Sequence, residues 1–218
     1  WKPYDATRLG HLGYGASPDV ITNVEFERMV AKGPISRPSD GKPVERVVFV
    51  QCAGSRDTKH LAYCSGVCCM VSLKHAAYVH AHHPAAEVFI VYKDMRTPGQ
   101  YERFYRAAQD HPLNFLTKGE VVSVVKDANG KVAVTATDTL LNEPILIRAD
   151  LVVLATGMVP NAADGAAIRA VKDARATLAR AEATEPQKVD ARKKIEELAQ
   201  HEGTEILNLT YRLGPDLP

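Results

Sequence analysis

The sequence predicts an α/β fold in which a mainly parallel sheet carries a small antiparallel meander and is followed by a helical hairpin. Short, continuous apolar runs occur at residues 47–50, 88–92 and 151–155, which is typical of strands buried on both faces. Helical patterns follow the first two runs, and this alternation favours right-handed crossovers between parallel strands. The meander is predicted because residues 127–130, with the sequence DANG, form a hairpin turn signal between two extended segments.

The remaining elements of the first 161 residues follow in order. Residues 1–44 are rich in Gly, Pro, Ser and Asp, and we expect connecting chain with one helix, which begins at a capping box formed by Thr22 and Glu25. Residues 45–161 then form the α/β domain. Its predicted helices are 67–82 and 101–109, and the predicted strands of its meander are 121–126, 132–137 and 144–148.

Residues 162–203 differ from this domain because they are rich in Ala, Lys, Arg and Glu and contain no aromatic residue. They predict a helical hairpin that packs on the domain or on a partner. In the first helix an apolar stripe is expected from Ile168, Val171, Ala174 and Leu178. The second helix starts near Thr184 and Gln187 and ends at Gly203, and its inward positions are predicted to be Val189, Ile195 and Leu198.

Composition excludes several classes of function. The 218 residues are 45% hydrophobic and 24% charged, as in ordinary globular proteins. A net charge of +1 gives no electrostatic basis for binding nucleic acid. No apolar run reaches the roughly 18 residues of a membrane-spanning helix, and the first residues do not resemble a signal peptide. We therefore expect a cytoplasmic protein without direct membrane insertion.

All four cysteines, Cys52, Cys64, Cys68 and Cys69, lie in one short stretch with the spacing C-x11-C-x3-C-C. Such clustering favours metal or redox use over a disulfide framework. On a regular helix Cys69 would point about 100° away from Cys68, so four ligands to one zinc ion would require local unwinding. An iron–sulfur cluster accepts divergent ligands more easily. Spacing alone leaves open a cluster, a zinc ion, and structural or redox-active thiols.

Nucleotide-binding signals are incomplete. Gly54 follows the first buried strand, where a dinucleotide-binding turn needs glycine, but the later glycines of G-x-G-x-x-G are absent. Asp94 could hold a ribose, yet it lies about twice the usual interval downstream. Thr156 and Gly157 close the last buried strand and are candidates for cofactor contact. Arg56 and Lys59 are cations near the cysteines, and they either stabilise a negatively charged cluster or are simply solvated.

Three segments resemble the A-type polypeptide of heterodisulfide reductase: residues 51–57 (QCAGSRD), 63–70 (YCSGVCCM) and 91–96 (VYKDMR). The resemblance runs from about residue 13 to residue 161. The segment 151–161 also resembles the exit from the nucleotide-binding domain of flavoproteins with two dinucleotide folds. The tail, residues 207–218 (LNLTYRLGPDLP), is more similar to the related A-type polypeptide of quinone-interacting membrane-bound oxidoreductase complexes.

The resemblance implies a Rossmann-like domain from an FAD-containing subunit that passes electrons between flavin and iron–sulfur centres. It implies that Cys52, Cys64, Cys68 and Cys69 bind a [4Fe–4S] cluster. It also implies FAD in the full-length protein, bound mainly outside these residues, with residues 204–218 returning towards the missing FAD domain. The implied partners are other subunits of a redox complex, which can include a membrane-bound one. The contrasting hypothesis is a scaffold domain that docks partners and whose cysteines hold zinc or nothing.

Overall fold

The computed structural model describes residues 1–160 and 165–199, and their elements divide into two compact units. One unit runs from Pro3 to Met158, and the other contains Trp1–Lys2 and the described residues from Val159 onwards. The strands are β1 (Lys2–Pro3), β2 (Val20–Thr22), β3 (Arg46–Ala53), β4 (Glu87–Tyr92), β5 (Asn114–Lys126), β6 (Val132–Asp138), β7 (Glu143–Ala149), β8 (Leu151–Thr156) and β9 (Met158–Val159). The α-helices are α1 (Asn23–Lys32), α2 (Cys68–His82), α3 (Glu102–Asp110), α4 (Gly165–Ala179) and α5 (Glu185–Glu197). Short 3-10 helices lie at Ala6–Leu12 and Gly99–Tyr101.

Seven of the described strands form one sheet in the order β2-β8-β3-β4-β5-β6-β7. The pairs from β2 to β5 are parallel, whereas β5–β6 and β6–β7 are antiparallel. The chain crosses from β3 to β4 through α2 and from β4 to β5 through α3. The predicted α/β class, with a parallel sheet that carries an antiparallel meander, is therefore confirmed.

The core lies where the predicted apolar runs pair. Every residue of β8 is buried, and β3 is buried from Val47 to Gln51. On one face Phe49 packs against Phe26 of α1, with ring centroids 5.7 Å apart, and the buried residues of α2 complete this layer. Strands buried on both faces need continuous apolar sequence, which explains why these runs were readable from sequence.

The first 44 residues contribute more to the domain than connecting chain. The predicted helix is present as α1, and Thr22 and Glu25 form the predicted capping box. However, β2 is an edge strand of the main sheet, and Leu9 and Leu12 are buried. The prediction of a linker was wrong here because a three-residue strand is too short to show a period, and the surrounding Gly and Pro residues hide it.

Strand β5 is also longer than predicted. Its first part, from Asn114 to Lys118, pairs in parallel with β4, and its second part pairs antiparallel with β6. The prediction began at residue 121 because Lys118-Gly119-Glu120 interrupts the apolar pattern. Glycine is needed at position 119, because the Cβ of any other residue would lie 2.5 Å from the Thr137 carbonyl oxygen. One strand thus joins the parallel and antiparallel parts of the sheet.

The second unit contains the two predicted helices, α4 and α5. Ile168, Val171 and Ala174 of α4 are buried, as predicted, and α5 begins beside Thr184, as predicted, where the Thr184 N–H donates to Gln187 Oε1 over 2.9 Å. The prediction that Val189 faces inward was wrong, because Val189 is 58% exposed and Ala191 is buried instead. A short helix that buries a narrow stripe can use alanine for close packing, which hydrophobicity alone does not reveal.

The predicted helix end at Gly203 and the return segment 204–218 lie outside the described residues. Within residues 1–160 and 165–199, every helix is too short or too polar to cross a lipid bilayer.

Candidate functional site

The four cysteines meet at the carboxyl edge of the parallel strands. Cys52 lies near the end of β3, Cys64 lies in the loop of residues 54–67, and Cys68 and Cys69 begin α2. All four line one small cavity together with Arg56, Asp94 and neighbouring residues. None of them forms a disulfide. The carboxyl edge of an open parallel sheet is where α/β proteins bind ligands, so this cavity is the candidate site.

Hydrogen bonds hold the cysteine loop, which we define as residues 54–67, against Met158, two residues after the end of β8. Within the loop the Leu61 N–H donates to the Gly54 carbonyl over 3.1 Å. The Tyr63 hydroxyl donates to the Met158 carbonyl over 2.9 Å, and the Met158 N–H donates to Ser65 Oγ over 2.8 Å. Because Tyr63 and Ser65 flank Cys64, these bonds fix the position of the one cysteine that no helix or strand carries.

Two residues of the site have backbone conformations that side chains rarely adopt. Cys52 has φ of 56° and Arg56 has φ of 55°, and both are in the left-handed region that favours glycine. Cys52 lies where the regular pairing of β3 with β8 is interrupted, because the register between these two strands shifts between Val50 and Ala53. Such strain persists only where the surrounding structure enforces it, and it is common at functional sites.

The thiols are desolvated. Cys68 and Cys69 are each 7% exposed, and burial raises the pKa of the Cys68 thiol to about 12. Burial likewise raises the pKa of Cys52 and of Cys69. The Arg56 cation opposes the rise at Cys52, and a backbone hydrogen bond from Arg96 is the main opposing contact at Cys69. The thiols of Cys52, Cys68 and Cys69 are therefore protonated at neutral pH, and a metal must displace their protons to bind them. No side chain of the described residues caps the N-terminus of α2, and the positive end of the helix dipole favours negative charge at Cys68 and Cys69.

The cavity brings thiols together as potential metal ligands. Among the residues that the structure describes, no group of three or more His, Cys, Asp or Glu side chains is placed to hold one metal ion. Yet four sulfur donors line the same cavity, and soft thiolates select zinc or iron–sulfur clusters. A cluster spreads its ligand positions over several metal atoms, so it accepts sulfurs that do not converge on one point.

The predicted cofactor contacts all have neighbours within the protein. A side chain at Gly54 would meet the Tyr4 ring at 2.8 Å, so this glycine makes room for the N-terminal segment. The Thr156 hydroxyl donates to Asn23 Oδ1 over 2.9 Å, and the Cys68 thiol donates to the Thr156 carbonyl over 3.6 Å. Gly157 lies against the cysteine loop. These contacts account for the residue types, and a contact of Gly54, Thr156 or Gly157 with a cofactor stays a prediction.

Sequence reasoning missed the pairing of Arg56 with Asp94. Arg56 Nη2 lies 2.7 Å from Asp94 Oδ2, which joins the cysteine loop to the end of β4. Asp94, considered from sequence as a ribose ligand, is thus engaged with a cation, and Lys118 approaches its other oxygen at 3.9 Å. The signal was present, because charged residues that follow neighbouring parallel strands meet at one edge. The two residues lie 38 positions apart, however, and no local pattern connects them.

Comparison with curated proteins confirms the resemblance predicted from sequence. The chain is 45% identical over 168 residues to the A-type iron–sulfur polypeptide of CoB–CoM heterodisulfide reductase from Methanocaldococcus jannaschii, an alignment that covers 73% of the chain and 26% of that protein. It is 43% identical over 166 residues to the A-type polypeptide of H(2)/formate:CoB-CoM heterodisulfide,ferredoxin reductase from Methanococcus maripaludis, covering 72% of the chain and 25% of that protein.

These relatives are much longer than the chain, which spans about a quarter of their length. No family model matches the chain. Among solved structures, T. acidophilum thioredoxin reductase is similar at a TM-score of 0.40 and 16% identity, covering 66% of this chain and 37% of that one. The resemblance of the tail, residues 207–218, to quinone-interacting complexes lies outside the described residues and stays a prediction.

Proposed function

We propose that this chain, which is homologous over about three quarters of its length to one segment of the A-type polypeptide of heterodisulfide reductase, is an electron-transfer module. In this proposal Cys52, Cys64, Cys68 and Cys69 hold a [4Fe–4S] cluster. The observation that carries it is that all four thiols line one cavity at the carboxyl edge of the sheet. The name of one relative, which describes an iron–sulfur polypeptide, agrees with the donor set.

The protein's own residues prepare the site for a negatively charged group. A bound cluster would supply one-electron chemistry, accepting or donating single electrons. Burial of Cys68 and Cys69 excludes water from two of the ligands, and both residues lie in the first turn of α2, at the positive end of its dipole. The Gly66 N–H donates to Cys64 Sγ over 3.4 Å, a contact that stabilises thiolate charge. No acid or base is required of this chain.

The curated relatives extend well beyond the segment that matches this chain. We propose that the whole protein is an FAD-containing subunit that relays electrons between flavin and iron–sulfur centres, with FAD bound mainly by parts that this chain does not contain. A tight nicotinamide site is not expected here. The chain has no G-x-G-x-x-G loop, and Tyr4 and Leu9 fill the space beside Gly54. The proposed partners are other subunits of a redox complex, since the relatives are named as subunits of reductases. A membrane-bound partner is proposed from the resemblance of residues 207–218 alone.

Anaerobic reconstitution with ferrous iron and sulfide tests the proposal. We expect about four irons per chain and a broad visible absorption that bleaches on reduction with dithionite. The metal content should be measured after the same protein has been offered an equal concentration of zinc. Stoichiometric zinc with no uptake of iron would overturn the proposal and favour the scaffold hypothesis.

A further inference from the structure

Arg56 joins two chain segments at the cysteine cavity. Its side chain extends from the cysteine loop to Asp94, and the distance between Nη2 and Oδ2 is 2.7 Å. The Arg56 side chain is only 24% exposed, whereas that of Asp94 is 50% exposed. The ion pair therefore has one solvated and one largely desolvated side, and the desolvated side faces the cysteines.

The second terminal nitrogen of Arg56 is not used by the pair with Asp94. Nη1 is buried and makes no well-aligned hydrogen bond among the residues that the structure describes, and the side chain lies close enough to Cys52 for its charge to lower the pKa of that thiol against the effect of burial. Arg56 lines the same cavity as the four cysteines. Its backbone is also held at φ of 55°, so the fold maintains a strained conformation to place this cation here. A buried guanidinium nitrogen without a well-aligned partner indicates that a negatively charged group belongs beside it.

We propose that Arg56, held in place by Asp94, hydrogen-bonds the sulfur atoms of the bound cluster and stabilises its reduced form. This proposal rests on the proposed cluster site. Reduction adds one electron from an external donor and breaks no bond, so the site gains one negative charge. A fixed cation in a desolvated cavity stabilises that extra charge more than solvent does. Arg56 thereby raises the reduction potential.

Lys59 provides a matched control for charge. It lies three residues from Arg56 on the same loop and is exposed, so Lys59→Gln removes the same formal charge without the contact. Arg56→Lys keeps the charge but cannot offer two nitrogens to Asp94 and to a sulfur at once. The set of Arg56→Gln, Arg56→Lys and Lys59→Gln therefore separates general charge from the specific hydrogen bond.

The experiment is a potentiometric titration of reconstituted protein, followed by visible absorption, together with iron analysis of every variant. We expect Arg56→Gln to retain its iron and to shift the equilibrium towards the oxidised form about tenfold, which is about 59 mV for a one-electron couple. Arg56→Lys should shift it less, and Lys59→Gln should leave it unchanged. An Arg56→Gln protein with full iron and the wild-type potential would overturn the proposal.

Other outcomes are equally decisive. If Arg56→Gln folds but holds no iron, Arg56 is required for retention of the cluster, and the tuning role is wrong. If the wild-type protein takes up no iron, the proposed function fails and this proposal fails with it.

The positioning role of Asp94 needs its own readout. If Asp94 holds Arg56 against the sulfur, then Arg56→Gln should lower the potential less in an Asp94→Asn background than in the wild type. This double-mutant cycle removes the direct effect of the Asp94 charge, which is absent from both Asp94→Asn proteins. Equal lowering in the two backgrounds would show that Asp94 does not position Arg56.

Discussion

The paired strands β3 and β8 differ sharply from the cysteine loop that follows them. Val47, Val48 and Phe49 are 0% exposed, and β8 is buried throughout its length. A few residues further on, Cys52 and Arg56 have left-handed backbone conformations, and Arg56 Nη1 and Ser55 Oγ are buried without well-aligned hydrogen-bond partners in the described part of the chain. Stability is thus concentrated in the apolar part of the two strands. From Gln51 at the carboxyl end of β3 onwards, the described chain retains buried polar groups without well-aligned partners, which are costly until a ligand satisfies them.

The strongest test of this contrast is to remove two ligands at once. We expect Cys64→Ser with Cys68→Ser to abolish iron binding completely, because two of the four thiolates are lost. Circular dichroism and a cooperative thermal transition should remain, because the sheet buries its apolar surface independently of the cysteines. An unfolded double variant would show that the protein needs the cluster to fold, and that the stability of the sheet is not independent of the cysteine loop.

The reciprocal control is Phe49→Ala. Phe49 packs against Phe26 and His75, with ring centroids 5.7 Å and 6.1 Å away. Removing a fully buried ring should lower the free energy of unfolding by about 3–5 kcal/mol, measured by denaturant titration. The fraction that stays folded should still bind iron.

Gly157 connects the two regions, so its substitution should affect both to a smaller extent. A side chain there would lie 2.1 Å from Ser55 Oγ and 2.8 Å from Ser65 Oγ, which forces the cysteine loop away from β8. We expect Gly157→Ala to lower the free energy of unfolding by about 1–3 kcal/mol and to weaken iron retention. Gly10→Ala is the control, because nothing lies within 4 Å of the new side chain. Unchanged stability and full iron retention would show that the loop accommodates the methyl group.

The two regions also differ in how far sequence predicts them. The strands at 47–50, 88–92 and 151–155 were predicted because burial on both faces requires continuous apolar sequence. Strand β2 was missed because three residues carry no period. The first part of β5 was missed because Lys118 and Gly119 interrupt it. What sequence cannot show in these cases is the neighbouring strand that makes a short or polar segment extended.

At the site, the sequence predicted the cysteines but not the contacts that hold the cysteine loop in place. Clustering of all four thiols in an otherwise cysteine-free chain is a local signal, and the structure places them around one cavity. The contacts that hold the loop join distant residues, such as Arg56 with Asp94 and Ser65 with Met158, which are 38 and 93 positions apart. These residues follow different strands that end at the same edge of the sheet, and the fold brings them together there.

The smallest expected effect concerns His75, a titratable residue of the core. His75 is 0% exposed, and burial lowers its pKa below the ordinary 6.5, although a 2.6 Å contact between its Nε2 and Glu27 Oε2 opposes the shift. The folded state therefore binds this proton less readily than the unfolded state does. Stability from His75 is fully present above the unfolded pKa and is lost as the pH falls below about 6.5 towards the folded pKa.

The variant His75→Gln keeps a donor for Glu27 but does not titrate. We therefore expect its melting temperature to fall less than that of the wild type when the pH is lowered from about 7.5 to about 5.5. The dependence should be reduced rather than abolished, because burial also lowers the pKa of His80 and that residue remains. His82→Gln, at an exposed position of the same helix, should follow the wild type. Parallel melting curves for His75→Gln and the wild type across this range would show that the buried imidazole does not link core stability to pH. In that case another residue would have to explain the pH dependence of core stability, and His80, which contacts Asn114, would be the next residue to test.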